Sequence, residues 1–280
     1  MFLGLGIAAI GIAILSYSQG APQRSLAETL SKDGVVQQPV DPKRFEAADK
    51  NFRERRDFAK ARAAYEAYRE LHQKNADDYE ASWHLSMACY YMGERVLEKE
   101  TSALEKIHAE GRDAGEASLR TAPPKCAPCH FWTAINMALY GRAVGVFKML
   151  FSLNGIRKHL EESIEADPSY MGGGAYRLLG KIYEKVPGIF GGSDKKAREN
   201  YEKAIAAGPD EPLNYLFLAQ ILKDEFSSPK ESLAIAEKGL TVPPPTAERI
   251  EAVDALADLK KFVEANRAAT GSGTSNPAGK

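Results

Sequence analysis

The chain has 280 residues, with 37 lysines and arginines against 38 aspartates and glutamates. This near-neutral balance lacks the excess positive charge typical of nucleic-acid-binding proteins, and three cysteines are too few for a disulfide-rich scaffold. A hydrophobic fraction of 44% is that of a folded protein rather than a disordered one. A chain of this length can bury a large core.

Residues 1–20 predict an export signal or a retained membrane anchor. Residues 2–15 read FLGLGIAAIGIAIL, an apolar run that is short for a membrane span but suits the core of a signal peptide. Small residues, Ser18 and Gly20, precede a cleavage position at Ala21, although the run lacks a basic segment before it. We therefore expect a protein of the periplasm or cell envelope, in an oxidising compartment.

The rest of the chain predicts helices. Residues 21–43 are polar, with scattered Pro and Gly, and predict a linker. From residue 44 to about 267, apolar residues recur with the helical period, and short breaks rich in Pro, Gly, Asp and Asn separate the helices. The breaks predict five helix pairs and a capping helix, at 44–75, 79–121, 130–166, 172–207, 211–240 and 246–267. Residues 268–280 are small and polar and predict a disordered tail.

A recurring pattern of small and large residues identifies the repeat. One copy consists of Ala197, Tyr201, Ala204 and Pro209. Two further copies begin at Ile156 and Ser232 with the same spacing of 4, 3 and 5 residues. The small residues let two helices approach closely, with Gly180 of the preceding helix at the predicted crossing. This pattern resembles the tetratricopeptide repeat (TPR), and the resemblance implies an all-α solenoid of stacked helix pairs.

Residues 130–225 resemble a narrower group. They contain a Trp-bearing helix, a helix that ends in Asp-Pro, and the inserted segment VPGIFGGS between two further helices. This combination is similar to the TatT component of TPR-associated TRAP transporters, a periplasmic helper of a solute-binding protein. The resemblance implies a solute-binding protein as partner and allows a homo-oligomer. The chain lacks the lipid-bearing cysteine that is typical of TatT proteins.

The segment Cys126-Ala-Pro-Cys129-His130 is the motif with the clearest chemistry. CxxCH is the attachment signature of c-type haem, in which both thiols bond the haem and the histidine ligates iron. A second axial ligand would come from Met137, Met149 or His159. In a Pro-rich turn the two cysteines could instead form a disulfide or remain inert thiols, and the sequence leaves these alternatives open. The third cysteine, Cys89, is expected to be a buried thiol.

Other chemistry is not indicated. No second Cys or His pair has zinc-ligand spacing, so we expect no metal site. The sequence contains no HExxH, GxSxG or P-loop motif, and the glycines at 172–174 and 191–192 predict flexible inter-helix turns. We therefore predict a protein without enzymatic activity and, unless the haem alternative holds, without a cofactor.

In a TPR solenoid, the first helix of each pair lines the concave groove. Counting from the helix landmarks assigns nine groove residues: His84, Tyr91, Thr133, Met137, Tyr140, Arg177, Lys181, Leu216 and Gln220. Their mixture of aromatic, apolar and cationic groups suits a protein partner, a peptide or an amphipathic solute. We predict an exported TPR adaptor that binds such a ligand and assists a TRAP-type transporter. The alternatives are a haem-carrying electron-transfer protein and a membrane-anchored envelope scaffold.

Overall fold

A computed structural model describes residue 41 and residues 43–96 and 100–271, without the side chains of residues 146–149 and 268–271. The chain divides into two units, Met1–Pro42 and Lys43–Lys280, and every helix described belongs to the second. The predicted signal or anchor and nearly all of the predicted linker lie outside the described residues. Of the helices in the described part, none is both long and apolar enough to cross a bilayer.

The described residues form eleven α-helices and no strand. The helices are α1 (Glu46–Arg53), α2 (Phe58–Lys74), α3 (Tyr79–Tyr91), α4 (Thr101–Thr121), α5 (Ala127–Val144), α6 (Val146–Ala166), α7 (Tyr170–Lys185), α8 (Asp194–Ala207), α9 (Pro212–Asp224), α10 (Pro229–Gly239) and α11 (Ile250–Gly271). A π-helical turn, Met92–Val96, follows α3, and a 3-10 turn, Gly188–Phe190, lies in the predicted insertion. Five helix pairs and a capping helix confirm the predicted TPR-like solenoid. The capping helix reaches Gly271, beyond its predicted end at residue 267.

Several helix starts follow capping signals in the sequence. Oδ1 of Asp78 accepts hydrogen bonds from the backbone N–H groups of Glu80 and Ala81 at the start of α3. Pro212 and Pro229 are the first residues of α9 and α10, where a missing N–H group leaves no hydrogen bond unmade. Local side-chain chemistry therefore places these boundaries.

The predicted close crossing between α7 and α8 is present. A Cβ atom added at Gly180 would lie 2.5 Å from Cε1 of Tyr201, so this approach requires glycine. Tyr201 is fully buried, and its hydroxyl donates to Oε2 of Glu184 at 2.6 Å. Ala197 and Ala204, one turn to either side of it, are also fully buried. The small and large positions of the repeat thus form the contact between paired helices.

The glycines at 172–174 open α7 through a left-handed turn. Met171, Gly172 and Gly173 have φ values of 51°, 62° and 74°. A Cβ atom at Gly208 would lie 2.3 Å from the carbonyl carbon of Gly172, so two backbones meet here. The side-chain amide of Asn214 donates to the carbonyls of Gly172 and Gly208 at 2.9 and 3.0 Å. A turn is therefore present at the start of α7, but hydrogen bonds from Asn214 hold it in place rather than leaving it flexible.

Candidate functional site

The first turns of α11 lie against the first two helix pairs. Ile250 is only 2% exposed and packs in one cluster with Ala61 of α2 and Tyr91 of α3. Phe52, Tyr90 and Val96 are partly buried around this cluster. Further along α11, Leu259 and Val263 pack into the core formed with α9 and α10. The capping helix therefore joins the last helix pair to the first.

Three arginines of the first pairs face carboxylates on α11. Arg55 lies 3.3 Å from Glu251, and Asp254 lies 3.3 Å from Arg56 and 2.6 Å from Arg95. Partial burial raises the pKa of Asp254, but hydrogen bonds and charges from Arg95 and Arg56 outweigh it and hold this pKa below its ordinary value. The contact thus combines a buried isoleucine with paired charges. We call the surface of the first pairs that receives α11, formed by Ala61, Tyr91, Arg55, Arg56 and Arg95, the α11 docking face.

Arg55 is built into this docking face. Its guanidinium lies 4.4 Å above the ring of Phe52 and donates to the Phe52 carbonyl at 3.0 Å. The hydroxyl of Tyr91 donates to the carbonyl of Arg55 at 3.1 Å, linking the end of α3 to the turn between α1 and α2. Arg55 is therefore held in place for its ion pair with α11.

The structure places the nine predicted groove residues in two settings. Tyr91, Thr133, Arg177 and Leu216 are buried, and His84, Met137, Tyr140, Lys181 and Gln220 are partly exposed. The hydroxyl of Thr133 donates to the Cys129 carbonyl at 2.6 Å and lies against Gly115 of α4, so Thr133 faces its partner helix. Leu216 packs with α11. A ligand role for the nine stays a prediction, and the four buried ones offer little surface for it.

Arg177 is a buried cation at the junction of α7 and α9. It donates to Oδ1 of Asn214 at 2.6 Å and to the carbonyls of Gly172 and Met171 at 3.3 Å. Burial lowers its pKa, while the negative charge of Glu211 acts in the opposite direction. These hydrogen bonds commit the guanidinium to the turn that opens α7.

The partly exposed residues of the predicted groove also have internal contacts. His84 stacks with Phe45 and Tyr68 at centroid distances of 4.5 and 5.0 Å, and burial lowers its pKa. Arg112 lies 4.4 Å above the ring of Tyr140. Lys181 is 3.1 Å from Glu184 and 4.7 Å from the ring centroid of Phe217, and Met137 packs into the α5–α7 core. Because of these contacts, less of each side chain is available to a ligand than in an open groove.

Cys126 and Cys129 form a disulfide, with Cα atoms 5.3 Å apart, and both are buried. Each sulfur is bonded to the other, so neither is free for a thioether bond, and the residues in this form do not fit c-type haem. The backbone N–H of His130 donates to the Cys126 carbonyl at 3.3 Å, within the first turn of α5. Cys89 is fully buried, and burial raises its pKa, as expected of a structural thiol.

His130 lies beside two residues of α6. Its Nδ1 is 3.1 Å from Nδ1 of His159 and 3.0 Å from Oε2 of Glu162, and the His159–Glu162 distance is 3.7 Å. Burial lowers the pKa of both imidazoles, although the charge of Glu162 raises it, so both rings are mainly neutral at neutral pH. In the described part of the chain, these residues form the cluster able to hold a metal ion.

Spacing along the sequence did not reveal this cluster, and the expectation of no metal site stays a prediction. Its two histidines lie on different helices, and Glu162 carries no signal except its spacing of three residues from His159. The side chain of Met149, another predicted haem ligand, lies outside the described residues. Glu251 and Asp254 were also missed, because nothing local marks their arginine partners.

The architecture defines a helical-repeat protein of the TPR class. The crystal structure of TTC0263, a thermophilic TPR protein in Thermus thermophilus, has a TM-score of 0.53 and 18% identity, covering 75% of this chain and 100% of that one. At this identity the likeness shows the fold alone. A crystal structure of MamA protein has a TM-score of 0.42 and 17% identity, covering 70% of this chain and 88% of that one.

The sequence match is more specific than the structural one. The family model "Regulator of microtubule dynamics protein 1-3" (RMD1-3) matches residues 45–263, which include nearly all of the described helices. The chain belongs to this family. No curated protein sequence matches it. The narrower resemblance to TatT stays a prediction.

Proposed function

We propose that the protein is a non-enzymatic scaffold that binds a helical segment of a partner protein at the α11 docking face. The observation that carries this proposal is that a helix of the chain itself occupies this face. Ile250 fills an apolar site, and Glu251 and Asp254 pair with arginines. A partner helix with an apolar residue and carboxylates at the same spacing would make the same contacts, as in other helix-in-groove recognition.

The contacts of the first turns of α11 with the first helix pairs are individually modest, and the Arg55–Glu251 pair is the most buried of the three ion pairs. The pairs of Asp254 with Arg56 and Arg95 are partly exposed, and such surface pairs each contribute about 0–1 kcal/mol. Burial of Ile250 contributes about 1.5–3 kcal/mol. The segment before α11 contains Val242-Pro-Pro-Pro and is not helical. Arg249, directly before α11, pairs with Glu211 at 2.8 Å, so displacing the first turns also strains or breaks this pair. A partner that replaces these contacts can displace the first turns while Leu259 and Val263 stay packed.

Two more specific partners follow from the family and from the sequence. The family description names microtubule dynamics, which supports a test of microtubules as the partner. The resemblance of residues 130–225 to TatT supports a test of a TRAP-type solute-binding protein, in an exported form of the chain. Both partners are compatible with a scaffold role. The predicted export is a separate question, which sequencing of the mature N-terminus tests.

The experiment uses the full chain with the docking face opened by Ile250→Ala and Asp254→Asn. A fluorescent peptide containing residues 246–267 should bind this variant more tightly than the parent protein, because the parent's own α11 competes. Adding Arg95→Gln to the opened variant should weaken peptide binding. A chain with Ile189→Ala is the control and should behave as the parent does.

The peptide experiment tests whether the face binds a helix, and further binding assays test which partner it binds. If the opened variant binds the peptide no better than the parent, the face is not a helix-binding site and the proposal is wrong. Microtubule co-sedimentation and binding to a TRAP-type solute-binding protein are then compared for parent and opened variant. The partner of this face is the one that binds the opened variant more tightly.

A further inference from the structure

The cluster of His130, His159 and Glu162 has no part in the proposed scaffold function. His159 and Glu162 lie one turn apart on α6, and their side chains meet His130 in the first turn of α5. The separations between the three nearest donor atoms are 3.0, 3.1 and 3.7 Å. Two imidazole nitrogens and a carboxylate oxygen therefore lie close enough together to bind one ion.

These separations match those of ligands around a metal ion. Zinc binds imidazole nitrogen and carboxylate oxygen at about 2.0–2.2 Å, so ligand atoms at angles of about 90–110° lie roughly 2.9–3.5 Å apart. Two of the three separations fall within this range, and a small side-chain rotation brings the third into it.

The surroundings suit an ion with an open position. The side chains of His130, His159 and Glu162 are 17%, 21% and 36% exposed, so water can complete the coordination sphere. Lys158 lies 3.8 Å from Oε1 of Glu162, the other oxygen, and so leaves Oε2 available. Imidazole with carboxylate is a donor set suited to divalent zinc, iron, nickel or copper rather than to calcium or magnesium.

The chain holds the two halves of the cluster together. The hydroxyl of Ser163, next to Glu162, donates to the carbonyl of Ala127 at 3.1 Å, which joins the end of α6 to the start of α5. The disulfide between Cys126 and Cys129 closes the turn directly before His130. Ligands positioned in this way lose little freedom when an ion binds.

We propose that His130, His159 and Glu162 form a binding site for a divalent first-row transition metal ion, with Zn²⁺ as the probe ion, that links α5 to α6. Water occupies the remaining coordination positions. The site is independent of the α11 docking face, and its test does not involve a protein partner.

The test titrates Zn²⁺ into the full chain, purified without reductant, against a chromophoric chelator. We expect a single ion per chain, and a loss of affinity of at least about 10-fold in Glu162→Gln and in His159→Gln. Glu161→Gln and His72→Gln are the matched controls, because they make the same changes outside the cluster, and they should bind as the parent does. Circular dichroism verifies that each variant is folded.

A second measurement needs no substitution. Diethyl pyrocarbonate modifies accessible histidines, and Zn²⁺ should protect His130 and His159 but leave modification of His72 unchanged, as mapped by mass spectrometry. The proposal is overturned if the parent takes up no Zn²⁺ in competition with the chelator. It is also overturned if Glu162→Gln and His159→Gln keep the parent's affinity, or if neither histidine of the cluster is protected.

Discussion

Replacing Ile250 with alanine tests whether α11 docks on the first helix pairs in solution. The side chain is 2% exposed, and truncation of a buried isoleucine to alanine costs about 2–5 kcal/mol. Phe52, Tyr90 and Val96 around it are only partly buried, so the site can collapse or the helix end can detach. Both responses limit the loss, and we expect a decrease of about 2 kcal/mol in the free energy of unfolding.

Ile189→Ala is the matched control because it makes the same chemical change at an isoleucine that is 87% exposed. We expect its free energy of unfolding to stay within about 0.5 kcal/mol of the parent value. Urea unfolding followed by circular dichroism measures both changes.

Hydrogen exchange shows where Ile250→Ala acts. Amides in the first turns of α11 and in α2 should exchange faster than in the parent, whereas amides of α8 should not change, because local opening affects only the released contact. Equal unfolding free energies for the two isoleucine variants, with unchanged exchange in α11, would refute the docking of α11 and with it the basis of the proposed binding face.

Three further predictions test the crossing, the aromatic stack and the disulfide. Gly180→Ala should destabilise the protein by about 1–3 kcal/mol in urea unfolding, despite the better helix propensity of alanine. Gly188→Ala is the control and should not destabilise it, because its added Cβ would meet no atom within 4 Å. A Gly180→Ala variant more stable than the parent would contradict the close crossing. Because burial lowers the pKa of His84 from 6.5, its neutral ring stabilises the fold fully above that pH and less as the pH falls. Between about pH 7.5 and pH 5 the parent should therefore lose more stability than His84→Gln, and equal losses would show that folding does not lower the pKa of this ring. Reductant should lower the unfolding free energy of the parent by up to about 2 kcal/mol, but not that of a variant with Cys126→Ala and Cys129→Ala; a parent insensitive to reductant would contradict the disulfide.

The fold was predictable from sequence because its signals are local. The small and large residues around Tyr201 mark a contact between neighbouring helices, and the structure places Gly180 against its ring. Capping residues such as Asp78 act within one helical turn. Such signals need only the geometry of one helix or one helix pair, so the pairs could be delimited to within a few residues.

The candidate groove was less predictable because a helix position does not specify the neighbour it faces. Thr133 lies on a first helix, as counted, but its side chain faces α4. Leu216 was assigned to the groove and is covered by α11. A rotation of about 100° per residue turns a small register error into a different face of the helix.

The sequence by itself determined the helical repeat, the pairing of neighbouring helices and the alternatives at Cys126 and Cys129. Only the tertiary structure brought Glu251 to Arg55, across 196 residues, and His159 to His130, across 29. Each helix pair contacts mainly its neighbours, and small rotations accumulate from pair to pair. Contacts between distant pairs therefore depend on all the packing angles between them, and no local pattern in the sequence predicts the accumulated rotation.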